Sequence, residues 1–325
     1  MRKLLILYLL LPLAATADDP SGSLNIDPER ITVSGISAGA HMAHQLHISY
    51  SDLFSGAAIL SGGPFGCADD SLMTAMSRCM DNTDEPLPID HLLAEIEAAV
   101  ASGKAADTGN LADDRVWMFH GTKDSTISLQ VHDATADIYT AFLPDANARR
   151  VDNVPAGHLF PTSGSGQGCT EMVAPFVGDC DFDAAGELLN WLYTDLQAPA
   201  GEALSELQPV SLPGAEDAEL LEQAYLFIPQ DCKHGTETCA LHLVLHGCAQ
   251  SAETVGTGFM EQSGYLPWAE ANNIVLAFPQ VAKSMVAPMN PHACWDWWGY
   301  TGDDYLWRDG KQMVVLTDWL KSLQK

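Results

Sequence analysis

Positive charge is scarce in this sequence. Lysine and arginine number 15 against 43 aspartates and glutamates in 325 residues, a formal net charge of −28 at pH 7. A surface of that sign repels nucleic acid and anionic membranes, so neither is expected as a partner, and it suits a neutral rather than an anionic substrate. Beyond the first residues no stretch is long and apolar enough to span a bilayer. There is no internal repeat and no low-complexity tract, which excludes a repeat architecture. None of the eight cysteines forms C-x-x-C, so zinc is not indicated, and no metal or cofactor is expected.

What is present begins with an address. MRKLLILYLLLPLAATA carries two basic residues, an apolar run from Leu4 to Leu13 and a small-residue site at Ala15-Thr16-Ala17. It reads as a secretory signal over residues 1–17, too short to span a membrane. The mature chain is expected from near Asp18, outside the cytoplasm, extracellular or periplasmic. All eight cysteines follow it, six of them in close sequential pairs. In an exported protein those pairs suggest disulfides Cys67–Cys79, Cys169–Cys180 and Cys232–Cys239, which leaves Cys248 with Cys294, although sequence alone leaves other pairings open. With 47% hydrophobic residues the chain can bury a full core, and a monomer is expected.

Strand and helix patterns alternate along the chain. Residues 31–33, 56–62, 115–119 and 149–154 read as strands, and residues 87–101, 130–142 and 184–196 have helical spacing. Residues 155–182 read as a Gly-rich loop tied by a cysteine pair. Residues 197–217, rich in Pro, Ala and acid, read as a linker. Strands at 225–228, 241–245 and 274–278 follow, with a helix within 251–271 and a last one over 310–323. Such alternation argues for a mostly parallel sheet with helices on both faces.

The chemistry centres on Gly35-Ile36-Ser37-Ala38-Gly39, a G-x-S-x-G between a β-branched run and a helix. A strand-turn-helix of this type lifts a serine hydroxyl out of the sheet, and the helix start aims free N–H groups at an anion formed there. Ser37 is therefore the candidate nucleophile. A serine needs a base, and the base an orienting acid, each in a loop after a later strand. Asp124 lies just past the 115–119 strand, and His158 follows Pro155-Ala156-Gly157 after the 149–154 strand. The plain alternative is that Asp124 caps the next helix, with Asp133 and Asp137 on the surface. His41, His44 and His47 on the first helix are expected to pack or to lie on the surface, and His120 and His246 at strand ends to be structural. The oxyanion donors are expected from the N–H groups of Ala38 and Cys248. An aromatic segment with Trp295, Trp297, Trp298, Tyr305 and Trp307 suggests a shelf for a polymer. Trp295, Trp298, Tyr305 and Trp307 are candidate contacts, with Trp307 and one tryptophan of 295–298 expected to be exposed.

Almost nothing precedes Ser37, whereas in the α/β-hydrolase fold several strands and the oxyanion loop come before the nucleophile. Leu241-His242-Leu243-Val244-Leu245-His246-Gly247-Cys248 reads as a buried strand ending in the His-Gly that supplies an oxyanion N–H in that fold. Placing residues 224–325 ahead of 25–197 restores the usual order. A circularly permuted α/β-hydrolase domain over residues 18–325 is inferred, its two ends close together.

With those residues in hand, the sequence resembles the single-domain, circularly permuted extracellular poly(3-hydroxybutyrate) depolymerases. The pieces that carry the resemblance are SGISAGAHMAHQLH, FHGTKDSTI, VPAGHLFPT, LHLVLHGCAQ and CWDWWGY, spread over nearly all of the mature chain. The resemblance implies Ser37, Asp124 and His158 as triad and the Cys248 N–H as oxyanion donor. It also implies cleavage of a hydrophobic polyester to short hydroxyacid oligomers in a surface crevice. No Thr-rich linker or appended binding domain of the kind many bacterial members carry is expected within these residues. Feruloyl and acetylxylan esterases share the serine turn and the HGC-like piece, so a carbohydrate-ester esterase is the second reading. A non-catalytic polymer-binding protein of the same fold is the third.

Overall fold

The computed structural model describes residues 24–80 and 86–324, and the leader read over 1–17 lies outside them. The first half runs β1 (Ile26–Ile36), α1 (Ala38–Ser49), β2 (Gly56–Leu60), α2 (Leu72–Arg78), α3 (Ile89–Ser102), β3 (Arg115–Phe119), α4 (Leu129–Thr140) and β4 (Ala148–Val151). Short strands β5 (Phe160–Thr162), β6 (Gln167–Gly168) and β7 (Val177–Asp179) precede α5 (Ala184–Tyr193). The second half adds β8 (Leu207–Ser211), β9 (Gln223–Phe227), β10 (Cys239–Leu245), α6 (Ala252–Val255), α7 (Gly258–Gln262), α8 (Tyr265–Asn272), β11 (Ile274–Phe278) and α9 (Lys311–Ser322).

Eight strands form one sheet in the order β4-β3-β2-β1-β10-β11-β9-β8. Strands β4 through β11 of that order are parallel, and β9 and β8 are antiparallel. Each half of the chain thus builds one side, and they meet at β1 and β10, where Val33 faces Leu243. Taking β8–β11 before β1–β4 gives the α/β-hydrolase strand order, so the permutation inferred from the sequence is the topology observed. Parallel strands must be covered on both faces, and their side chains alternate accordingly. Val116 and Met118 join the core under α1, α3 and α4, while Trp117 and Phe119 join the core under α5 and α8.

The seam between the halves holds a buried polar chain. Tyr193 Oη donates to the Leu241 carbonyl (3.0 Å) and receives Thr32 Oγ1–H (2.5 Å). His242 Nδ1, 2.6 Å from Thr32 Oγ1, must then be the protonated nitrogen, so Nε2 accepts from Ser34 Oγ (2.8 Å), which accepts from Tyr265 Oη (2.7 Å). Every donor in this chain has an acceptor. A one-residue slip of β1 on β10 would strand all of them in an apolar core, so the network specifies the register.

The eight cysteines pair as Cys67–Cys79, Cys169–Cys180, Cys232–Cys239 and Cys248–Cys294, an arrangement suited to an oxidising compartment. Several expectations need correction. The stretch 197–217 is not all linker, because β8 within it adds the outermost strand; Pro209 is tolerated there since an edge strand can spare a ladder N–H. The loop 155–182 folds β5, β7 and β6 into a small sheet of its own. The single helix expected within 251–271 is three short ones, interrupted at Gly256 (φ 59°) and Gly264 (φ 84°). Helix α2 was not foreseen.

Candidate active site

Ser37 sits between β1 and α1 at φ 57° and ψ −121°, a strained conformation for a residue with a side chain. Its N–H is held by the Leu60 carbonyl of β2 at 2.9 Å. The flanking glycines are required by contact. A Cβ on Gly35 would strike the Gly39 carbonyl, and one on Gly39 would strike the Leu245 carbonyl of β10. Helix α1 begins at once, with the N–H groups of Ala40 and His41 on the Ser37 carbonyl at 2.9 and 3.1 Å.

The loops after β3 and β4 are laced together by their backbones. Thr122 N donates to the Val154 carbonyl (2.8 Å) and Lys123 N to the Ala156 carbonyl (3.0 Å). Gly121 permits this, because a Cβ there would overlap the Ala156 carbonyl. The lacing brings Asp124 Oδ2 within 2.8 Å of His158 Nδ1. Asp124 Oδ1 meanwhile accepts from Thr126 N (2.8 Å) and Ile127 N (3.0 Å). Burial raises the Asp124 pKa, but His158 and the two N–H groups outweigh it and hold the carboxyl below its ordinary range. An ionised carboxylate only accepts, so Nδ1 carries the proton and Nε2 is the free base. The Asp124 side chain is fully buried, whereas that of His158 is 14% exposed. Helix α4 is capped by Ser128 rather than Asp124, Ser128 Oγ accepting from Val131 N. Asp133 pairs with Arg150, and Asp137 is exposed.

The loop after β10 closes the site from the other side. Gly247 N donates to Gln250 Oε1 (2.6 Å), and Gln250 Nε2 donates to the carbonyls of Pro175 (2.9 Å) and Phe176 (3.2 Å). His246 is pinned at Nε2 by Val281 N (3.2 Å), so its Nδ1–H points to the Gly247 carbonyl (2.7 Å). Cys248 is bonded to Cys294, whose backbone Asn290 clamps with two hydrogen bonds of 2.8 and 2.9 Å. The N–H groups of Ala38 and Cys248 have no protein acceptor among the described residues. They are donors available to a third party.

Two cavities meet at Ser37. One of about 370 Å³ is lined by Ser37, Ala38, His41, Met76, Cys248 and Trp298 among others. The second, of about 310 Å³, is lined by Ser37, His158, Met172, Phe176, Cys248 and Gln250 among others. Ser37 and His158 thus face one cavity, with Asp124 behind the imidazole.

The aromatic shelf is only partly as expected. Trp295 and Tyr305 are not surface contacts but core residues, 0% and 2% exposed, and Trp295 Nε1 donates to the His246 carbonyl (2.9 Å). The cause is Asp296, also buried. Its carboxylate gathers the N–H groups of Trp298, Gly299, Tyr300 and Thr301 and the Thr301 hydroxyl, and this turn points the preceding tryptophan inward. Trp298 is half-buried and lines the larger cavity. Trp307 is half-buried against Phe65 (ring centroids 5.2 Å) and lines neither cavity.

Four contributors were missed. His41, one turn after Ser37 on α1, stacks on Trp297 (4.2 Å, 10°) in the larger cavity and takes the Gly63 N–H (3.3 Å). Burial, with the nearby His158 adding, pushes its pKa down to about 3, so it is a neutral imidazole. The i+4 spacing from Ser37 was the available signal. Gln250 was in view as the last residue of HGCAQ, but its role depends on Phe176, far away in sequence. Leu72 and Met76 come from the unforeseen α2. The other histidines of α1 and the one after β3 pack: His44 stacks on Tyr139 (4.6 Å), His47 bridges Tyr139 and Asp114, and His120 Nε2 meets the Ile127 carbonyl.

No protein-family model matches the chain. It is 36% identical over 299 residues to poly(3-hydroxybutyrate) depolymerase of Delftia acidovorans, which covers 90% of this chain but 59% of that protein. It is 31% identical over 318 residues to polyhydroxybutyrate depolymerase of Talaromyces funiculosus, covering 93% of this chain and 91% of that protein. Among solved structures, PHB depolymerase from Penicillium funiculosum matches with a TM-score of 0.86 at 29% identity, over 93% of this chain and 98% of that one. A serine-to-alanine variant of PHB depolymerase complexed with an R3HB trimer matches with the same TM-score and coverage at 28% identity.

Proposed function

The chain belongs to the poly(3-hydroxybutyrate) depolymerase family, and from that membership we propose that it is a secreted serine esterase cleaving poly(3-hydroxybutyrate) or a related polyester to short hydroxyacid oligomers. Ser37, His158 and Asp124 are the nucleophile, base and orienting acid of this reading. The observation that carries it is the 2.8 Å bond from His158 Nδ1 to a buried Asp124, with His158 and Ser37 facing one cavity.

In this mechanism His158 Nε2 takes the Ser37 proton as Oγ bonds to the ester carbon, and the carbonyl pair moves onto oxygen. That oxyanion is received by the N–H groups of Ala38 and Cys248, each such donor typically worth about 3 to 4 kcal/mol. Collapse breaks the bond to the leaving alkoxide, which takes the proton from His158. Water, deprotonated by His158, then adds to the acyl carbon; collapse breaks the acyl–Oγ bond, releases the hydroxyacid, and His158 returns the proton to Ser37 Oγ. Asp124 keeps the imidazole in the productive tautomer throughout.

Walls built from Leu72, Met76, Met80, Met172 and Trp298 support an aliphatic polyester over a sugar ester, whose hydroxyls need polar partners. On the same reading residues 18–325 act as one monomeric domain, released outside the cytoplasm after removal of 1–17. The test is labelling with a fluorophosphonate, abolished in a folded Ser37→Ala variant, together with release of hydroxyacid oligomers from amorphous polyhydroxybutyrate. An intact protein that takes no label favours a binding protein without catalysis.

A further inference from the structure

The two cavities at Ser37 are not equivalent. His158 lines the smaller and not the larger, whereas Ala38 lines only the larger. The proton that His158 gives up must reach the leaving oxygen, which puts the alcohol side of the ester toward the smaller cavity. The acyl side, and the polymer chain that continues from it, then run into the larger one. Every repeat of that chain carries an ester carbonyl, an acceptor that loses its water on entering an apolar cavity.

One buried polar side chain of the larger cavity is uncommitted. His41 is 5% exposed and lines the cavity beside Ser37 and Ala38. Its backbone N–H on the Ser37 carbonyl (3.1 Å) sets it one helical turn along α1. The ring lies flat on Trp297, with centroids 4.2 Å apart and planes at 10°, so its orientation is fixed. Nε2 takes the Gly63 N–H at 3.3 Å, and an accepting ring nitrogen carries no proton. Burial keeps the imidazole neutral by pushing its pKa to about 3, so its one proton is on Nδ1. That N–H has no acceptor among the described residues, and it is not sealed off as both ring nitrogens of His44 are. Asn290 in the same cavity, by contrast, spends its whole amide on Cys294 and Tyr300.

The spacing suits a repeating ester. Four residues along an α-helix rise about 6 Å. Four bonds separate the carbonyl carbons of successive 3-hydroxyalkanoate units, a span of about 5 Å. A chain whose scissile carbonyl sits on Ser37 therefore brings its next carbonyl on the acyl side level with His41. Resting on the reading of Ser37 as the nucleophile of a polyester hydrolase, we infer that His41 is a specificity-determining residue whose Nδ1–H donates to that second carbonyl oxygen. Through this bond the enzyme reads the repeat of the polymer and prefers an acyl group that bears a second ester to one of the same size without it.

The experiment deletes the acceptor and the donor in turn. The p-nitrophenyl ester of 3-acetoxybutyrate carries the second carbonyl, and that of 3-ethoxybutyrate has a methylene in its place. With the whole protein the ratio of their kcat/KM values, each corrected for its rate in alkali, is expected to be about fivefold or more, the size of one neutral hydrogen bond. In His41→Phe, which keeps a ring on Trp297 but has no N–H, the ratio is expected to fall below about twofold. The orphaned Gly63 N–H of that variant burdens both substrates alike and cancels in the ratio. A wild-type ratio below about twofold overturns the inference and leaves the hydrolase reading intact. A folded His41→Phe that keeps the wild-type ratio also overturns it. Should His41→Phe not fold, proton NMR of Ser37→Ala with isotope-labelled histidine decides. Saturating 3-hydroxybutyrate trimer is expected to move the His41 Nδ1–H resonance downfield, and an unmoved resonance overturns the inference. No release of nitrophenolate from either ester, and no oligomers from amorphous polyhydroxybutyrate, removes the hydrolase reading and this inference with it.

Discussion

Gln250 Oε1 lies 2.6 Å from the Gly247 backbone nitrogen, one residue before the proposed oxyanion donor Cys248. The same amide spans to the Pro175 and Phe176 carbonyls, so it ties the loop after β10 to the small sheet that carries the histidine loop. Gly247 has to stay close, since a Cβ on it would come within 2.8 Å of Gln250 Oε1 and 3.4 Å of Ser37 Cβ.

Gln250 is therefore a positioning residue, and Gln250→Ala is expected to lower kcat about 10- to 100-fold with KM changed less than about threefold. Removal of a donor outright costs about 10²- to 10³-fold, and a displaced donor costs less. Steady-state kinetics on a soluble hydroxybutyrate oligomer checks it. A rise in KM alone would assign Gln250 to substrate binding instead.

Asp124→Asn is expected to keep the fold and lower kcat by about 10⁴, because an amide can donate to Nδ1 and so stabilise the wrong imidazole tautomer. The same carboxylate contributes to acid stability. Its folded pKa is depressed, so its contribution is fully present above the unfolded carboxylate value and is lost as pH falls through the folded one. In Asp124→Asn that portion of the acid loss disappears, which Tm measured from pH 6 down to pH 2 reads directly.

A larger acid effect comes from histidines that pass no proton in the reaction. Burial pushes His41, His44, His132 and His242 from 6.5 to about 3, and His246 to about 4. These groups are neutral when folded and take a proton when unfolded, so their contribution is complete above pH 6.5 and falls as pH drops toward 3. Each adds a slope of about 1.4 kcal/mol per pH unit within that window. Urea unfolding at pH 7, 6, 5 and 4 is expected to show a steep loss below 6.5. A flat profile would mean that the buried imidazoles are protonated in the fold. His242→Gln, which keeps a donor and an acceptor for Thr32 and Ser34, reduces the slope by about one proton.

The legible parts of this chain were those where one stretch fixes both its own shape and its chemistry. G-x-S-x-G declares a turn that only glycine at positions 35 and 39 permits, and Arg115–Phe119 and Ile274–Phe278 are apolar runs of strand length at the observed bounds. Strand β8 was hidden because an edge strand shows no clean alternation, its residues being exposed or half-exposed. Helix α2 was hidden for the opposite reason. Its apolar residues Leu72, Met73 and Met76 face outward, and Ala75 alone is buried, so periodicity and burial disagree. The tryptophans at 295 and 298 look alike in sequence, and the acid between them sorts them into core and cavity.

That sorting gives a contrast between Trp295 and Trp298. Trp295 is fully buried with its indole N–H on the His246 carbonyl, so Trp295→Ala leaves a cavity and an unsatisfied carbonyl behind the oxyanion loop. The expected cost is about 3 to 5 kcal/mol of stability, with kcat falling more than KM rises. Trp298 is half-buried in the wall of the larger cavity, so Trp298→Ala is expected to cost about 1 kcal/mol of stability and to raise KM several-fold with kcat nearly kept. Urea denaturation and oligomer kinetics on the two variants decide it. If Trp298→Ala is the more destabilising and leaves KM unchanged, the ring is part of the core and not a working wall of the larger cavity.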